Sequence, residues 1–308
     1  MLGRRLIVIA SALLLLSAGA TFAWLLSAPR PAFSEKDAAA LERPGDPARG
    51  RLIFAAADCA SCHASPGQSD WLRLGGGLAL ASPFGTFRAP NISPDPNVGI
   101  GRWRTIELAN ALMSGVAPSG QHLYPALPYT SYTHMNVDDV RDLMAFLLTL
   151  PPVSTRPPPH ELSFPFTIRR AIGLWKLLFF DRAPLEVDPA HDANWNRGRY
   201  LVEALGHCAE CHSSRNIFGA VRPATRFAGG PDQSGIGYIP NITPDHLGRW
   251  SVGDIAGMLS TGYTPDLRFV GSSMAGVVTN TAELPDADRA AIATYIKSLP
   301  ARPTPPPS

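Results

Sequence analysis

Lysine is nearly absent: the chain of 308 residues has 24 Arg but only 3 Lys, against 25 acids, for a formal net charge of +2. Charged residues are 17% of the whole and no basic stripe with interleaved aromatics occurs, so the composition argues against a nucleic-acid partner. No P-loop, dinucleotide fingerprint or Ser-His-Asp set is present, which removes the common routes to nucleotide chemistry and acyl transfer. Strand-like alternation is rare, and cysteine is limited to four residues. Gly and Pro are plentiful, 27 and 31 residues, yet together stay below the roughly 25 to 30% that marks low-complexity chains. A 45% hydrophobic share is ample for burial, and at roughly 100 to 200 residues per domain the length predicts two domains.

One long apolar run is present, at the N-terminus. Arg4 and Arg5 precede 24 uncharged residues from Leu6 to Pro29. A hydrocarbon core of about 30 Å needs about 20 helical residues, whereas the apolar part of a secretory signal is usually about 7 to 15. Residues 1–30 are therefore expected to be a retained membrane anchor. The alternative is a signal cleaved after Ala18-Gly19-Ala20 or Thr21-Phe22-Ala23. Either way the basic residues keep the N-terminus in the cytoplasm and send the rest to the periplasmic face of the inner membrane. That compartment favours disulfides, so the spacing of the four cysteines has to decide their chemistry.

They fall in two identical frames, Cys59-Ala-Ser-Cys62-His63 and Cys208-Ala-Glu-Cys211-His212. C-x-x-C-H is the attachment signature of c-type haem. Two thiols three residues apart on one helical turn can each form a thioether to a haem vinyl group, and the adjacent His then faces the iron. Structural zinc would usually want the pairs closer together and leaves each His unexplained, while a redox dithiol would want a βαβ setting. Two covalently bound haems are expected, with His63 and His212 as proximal ligands.

The duplication extends well beyond the cysteines. Arg49-Gly50-Arg51 recurs as Arg197-Gly198-Arg199, Pro90-Asn91-Ile92 as Pro240-Asn241-Ile242, and Gly101-Arg102-Trp103 as Gly248-Arg249-Trp250. The stretch from Asp138 to Pro151 answers that from Asp286 to Pro300, each apolar at helical spacing with a proline stop. Each copy reads as a helix up to the cysteine motif, a Gly/Pro-rich loop, a middle helix (105–114; 251–260), another loop and a final helix. So small a helical domain is under-built unless a haem fills its centre. The expected architecture is all-α: two tandem cytochrome c-like domains, 45–151 and 191–301, behind the N-terminal helix, with a linker at 152–190 and a disordered tail at 302–308.

Each iron needs a sixth ligand, commonly Met. In the second copy Met258 lies in the middle helix as a packing residue, so Met274, in a loop between flanking glycines, is the expected ligand. In the first copy the repeat sets Leu127 opposite Met274, and leucine cannot bind iron. Met135, His122 or His134 are the substitutes, or the site has no protein ligand. Met135 stands opposite Leu284, a packing position.

With the run Leu123-Tyr124-Pro125-Ala126-Leu127-Pro128-Tyr129-Thr130-Ser131-Tyr132 and the stretch Trp195 to Asn216 around the second motif, the chain resembles the cytochrome c subunits of membrane-bound periplasmic alcohol, gluconate, sorbitol and fructose dehydrogenases. The resemblance covers about residues 45 to 300. It implies a subunit that takes electrons from a dehydrogenase catalytic partner and hands them to quinone or a terminal oxidase. Those subunits often carry a third haem and a C-terminal membrane segment, and commonly have Met where Leu127 stands, so the partner and the electron route stay open here.

Between the copies, 151–159 reads as a proline-rich spacer, and 164–180 is amphipathic and expected to pack across both domains, with a membrane-facing strip as the alternative. His207 is expected at a haem edge, Trp103 and Trp250 beside the haems, and Asp95, Asp245, Glu107 and Asp254 in turns and helix starts. The favoured function is electron transfer without bond-making. The rivals are a dihaem enzyme, a peroxidase or a thiosulfate-oxidising cytochrome with an open first haem, and a free-standing anchored shuttle.

Overall fold

The computed structural model describes residues 2–306. Helix α1 (Leu2–Leu26) is a single apolar helix whose segment Gly3–Leu26 has a mean hydropathy of 2.3 and touches little else, so it is long and apolar enough to cross a membrane.

The first half follows as α2 (Ala38–Leu41), α3 (Pro47–Ala56), α4 (Cys59–His63), the hairpin β1 (Ala79–Ser82) and β2 (Gly85–Arg88), then α5 (Thr105–Ser114), α6 (Tyr129–Tyr132) and α7 (Val137–Leu147). Strand β3 (Glu161–Leu162) and α8 (Ala171–Phe179) belong to the connection. The second half has α9 (Ala193–Tyr200), running through one π-helical turn (Leu201–Leu205) into α10 (Cys208–Cys211). After these come β4 (Gly230–Pro231), β5 (Tyr238–Ile239), α11 (Pro244–Leu247), α12 (Val252–Thr261), α13 (Ser273–Thr281) and α14 (Asp286–Ser298). The molecule is mostly helical, as expected. The strands are short additions: β1, β2 and β3 form one antiparallel sheet and β4 and β5 another.

Local sequence accounts for the helix ends. Asp46 caps α3 by accepting from the Ala48 amide at 2.8 Å, with Pro47 at the first helical position, and Asp192 caps α9 through the Trp195 amide at 2.8 Å. At the middle helices Glu107 and Asp254 reach back to the amides of Arg104 and Ser251, and Gly115 and Gly262 close them at φ of 60° and 77°. Asp95 accepts from the amides of Asn97 and Val98 in the turn that the sequence predicts.

The recurrent Arg-Gly-Arg motif marks where the first and last helices of each half cross. A Cβ on Gly50 would lie 1.9 Å from the Asp142 carbonyl oxygen, and one on Gly198 would lie 1.9 Å from that of Ala291. Only glycine lets α3 meet α7, and α9 meet α14, this closely.

The segments beyond each final helix do more than connect. Asn91 donates through Nδ2 to the carbonyls of Val153 and Thr155 at 2.6 and 3.0 Å, which ties the start of the 152–190 stretch to the first half. In the second half Asn241 donates to the Arg302 carbonyl at 2.8 Å and to Thr304 at 3.1 Å, and Tyr238 donates to the Pro305 carbonyl at 2.6 Å. Residues 302–305, expected as part of a disordered tail, are therefore a strap along the 240s loop, because buried Asn241 needs their acceptors. Pro307 and Ser308 lie outside the described residues.

Within 164–180 the helix is confined to α8, and the residues before it form turns. Helix α8 bridges the halves. Lys176 reaches the carbonyls of Ser114 and Gly115 at 2.7 and 2.8 Å, while Trp175 Nε1 donates to the Phe218 carbonyl at 2.9 Å.

Candidate haem sites

Both cysteine motifs form one short helical turn, entered through a residue in the left-handed region: Asp58 at φ 51° and His207 at φ 40°. Those equivalent kinks end the preceding helix and start a new turn that carries both thiols. None of the four thiols is in a disulfide. Burial pushes Cys62 up to about 11 and Cys208 up to about 12, and raises Cys59 and Cys211 as well.

The histidines are prepared in the same way in each half. His63 Nδ1 lies 2.8 Å from the Pro90 carbonyl oxygen, and His212 Nδ1 lies 2.8 Å from that of Pro240. Each carbonyl fixes the tautomer with hydrogen on Nδ1 and leaves Nε2 as a free lone-pair donor. Burial also lowers the pKa of both imidazoles, which favours the neutral form that a metal requires. The residue after each proline, Asn91 or Asn241, is the one gripped by the strap, so the strap steadies the carbonyl that orients the histidine. The recurrence of Pro-Asn-Ile was visible in the sequence; its partners, 61 to 64 residues further on, were not.

The halves pack reciprocally, each placing the segment before its final helix against the other's cysteine turn. Asn280 of α13 donates to Asp58 Oδ1 at 2.6 Å, and Thr130 of α6 donates to Glu210 Oε1 at 2.6 Å. Tyr132 donates to the Ala57 carbonyl at 3.0 Å and its ring meets that of His207 edge-on at 5.6 Å. His207, expected at a haem edge, thus sits in the contact between the halves. Burial raises the Asp58 carboxyl above its ordinary range, against the pull of Ser61, His207 and Asn280. Burial alone would raise Glu210 too, but the Arg215 guanidinium and Thr130 outweigh it and hold that carboxyl low.

The sixth-ligand candidates separate. Met274 is half-buried and is the second residue of α13, not a loop residue: the loop ends at Ser272, at φ 55°, and the helix starts immediately after it. Met135 is buried between α6 and α7, in the same apolar cluster as Leu284, its counterpart in the repeat. His122 has both ring nitrogens engaged: Nε2 lies 2.8 Å from the Ser27 carbonyl oxygen and Nδ1 3.2 Å from Lys176 Nζ. His134 lines a cavity with Trp175, Phe180, Arg215 and Arg226. Trp103 and Trp250 both pack against the core.

Comparison with known proteins agrees with this geometry. The Cytochrome c family profile matches residues 47–151. A "Diheme cytochrome c-type" protein of Cereibacter sphaeroides is 50% identical over 291 residues, 94% of this chain and 96% of that one. The chain belongs to the dihaem c-type cytochromes. This dihaem cytochrome is also 38% identical over 274 residues to the fructose dehydrogenase cytochrome subunit of Gluconobacter japonicus, covering 87% of this chain and 55% of that one. It is 37% identical over 271 residues to the cytochrome c subunit of the alcohol dehydrogenase (quinone) of Gluconacetobacter polyoxogenes, covering 84% and 56%. The chain therefore spans about half the length of these two dehydrogenase subunits.

Proposed function

We propose that this dihaem cytochrome takes electrons from the catalytic subunit of a periplasmic dehydrogenase and passes them to the respiratory chain, to quinone or a terminal oxidase. The observation that carries this reading is the reciprocal packing of the two cysteine turns, which sets one haem site beside the other inside one covalent chain. Bound haem supplies a one-electron Fe(III)/Fe(II) couple. The protein supplies everything else. Cys59 with Cys62, and Cys208 with Cys211, hold the haems covalently, and His63 and His212 present Nε2 to the irons while Pro90 and Pro240 hold Nδ1–H. Met274 completes the second site and Met135 the first. Helix α1 is retained as the anchor and keeps both sites at the periplasmic face.

The two sites are not equivalent. Met274 is half-buried at the start of α13, whereas Met135 is buried, with Leu127 standing where the repeat would put a second Met. Unequal surroundings give unequal potentials, a gradient suited to directional transfer.

The test is affinity purification of the full chain from its native membranes, followed by addition of alcohol, sugar or polyol substrates. Substrate-driven reduction of both haems, with a co-purified dehydrogenase subunit and reoxidation by a quinone analogue or oxygen, is expected. Reduction that never occurs, together with peroxide- or thiosulfate-dependent turnover by the isolated chain, would replace this reading with the dihaem enzyme. Leu127 is what favours that second reading, and a high-spin signal from the first haem is its mark.

A further inference from the structure

Helix α8 meets the molecule where α1 ends. A Cβ on Gly173 would lie 2.1 Å from the Ser27 carbonyl oxygen, so the helix lies directly on that backbone. Arg170 donates to the Trp24 carbonyl at 2.7 Å and to Ser27 Oγ at 3.0 Å, and its guanidinium lies 4.4 Å from the centre of the Trp24 ring. His122 adds its bond to the Ser27 carbonyl. The end of the apolar helix is clamped to the haem-bearing body by α8, with no flexible tether between them.

The inward side of α8 is Gly173 and Lys176; its outward side is Leu174, Leu177 and Leu178, which are 38%, 50% and 73% exposed. Further exposed apolar residues flank it. Phe164, ahead of the helix, is 80% exposed. Beyond it, Phe218 and the 82% exposed Ile217 follow, joined to α8 by the Trp175 bond and by the Phe179–Phe218 ring contact at 5.8 Å. Residues 164–180 contain no acid, while Arg169 and Arg170 are cationic. Large exposed apolar patches mark interaction surfaces, and an apolar strip bordered by cations beside an interfacial Trp has the chemistry of a helix lying in the headgroup layer.

We infer that the outward face of α8, with Phe164 and Ile217, seats in the interfacial layer of the bilayer and holds both halves at a fixed orientation to it. The inference rests on the reading of α1 as a retained anchor, because continuity with the end of α1 is what selects lipid over a protein partner. Arg170 and Trp24 then form a rigid joint at headgroup level, and neither half can turn its other faces to the membrane.

The test uses the full dihaem chain in nanodiscs of phosphatidylethanolamine and phosphatidylglycerol containing a lipid with a diazirine near the headgroup. After illumination, adducts are mapped by mass spectrometry and intact mass reports whether α1 is present. Adducts on α1 and on residues 164–178 and 217 are expected, with none at Ile236 and Leu267, which are equally exposed apolar controls. A triple change, Leu174→Glu, Leu177→Glu and Leu178→Glu, is expected to abolish adducts on the strip while those on α1 and the haem spectrum persist. Adducts confined to α1 would overturn the inference and leave the anchor reading standing, as would a strip protected only after a partner protein is added. Loss of α1 by mass, with the strip still labelled on vesicles, would overturn the anchor reading and uphold the seating of α8.

Discussion

Asn280 donates to Asp58 Oδ1 at 2.6 Å across 222 residues of chain. Asp58 is the left-handed residue that opens the first cysteine turn, and Asn280 lies on the helix that carries Met274. One hydrogen bond thus links the first haem's attachment turn to the second haem's expected sixth-ligand helix. Thr130 and Glu210 make the reciprocal link. A displacement at this contact is therefore felt at both haem sites, whereas a change far from it stays within one half.

Met274→Ala should remove the sulfur-to-iron charge-transfer band of one haem and lower its potential, and Met135→Ala should do the same for the other. Absorption in the near infrared with potentiometric titration checks both. Met135→Ala leaving the first haem unchanged would leave a histidine ligand or the open site in its place.

Gly50→Ala and Gly198→Ala each force a Cβ into a backbone oxygen, so the cost should reach the upper part of the roughly 1 to 3 kcal/mol seen for overpacking, or exceed it. Chemical denaturation of the holoprotein is the check, with the haem of the affected half released first.

Truncation after Ala301 removes the acceptors that Arg302 and Thr304 offer to Asn241. A buried amide left unpaired costs about 1 to 3 kcal/mol. The melting temperature should fall and the spectrum of the second haem should change, while that of the first stays as it was. A tail of no structural consequence would alter neither.

Lys176 makes stability depend on pH. Burial, helped by the Arg182 charge, lowers its ammonium from 10.5 to about 7. Between those values the unfolded chain keeps a proton that the folded chain has released, so stability rises with pH across the window and that contribution is lost as pH falls through about 7. Lys176→Met should flatten this slope. It should also cost about 2 kcal/mol or more, because the Ser114 and Gly115 carbonyls and His122 Nδ1 lose their partner. Denaturation midpoints between neutral and mildly alkaline pH measure both effects.

The sequence by itself determined what is local. Cysteine spacing sets which groups share one helical turn, capping residues and apolar periodicity set where helices start and stop, and recurring motifs predict two halves of one plan. Those features act over a few residues, so they are readable without the fold. The tertiary structure alone decided what joins distant parts. It turned residues 302–305 from an expected loose tail into a strap, withdrew His122 to the end of α1, placed His207 between the halves and made α8 both a bridge and an exposed strip. Each of these depends on which buried donor meets which acceptor across tens to hundreds of residues, and that pairing is fixed only when the chain has closed around its core.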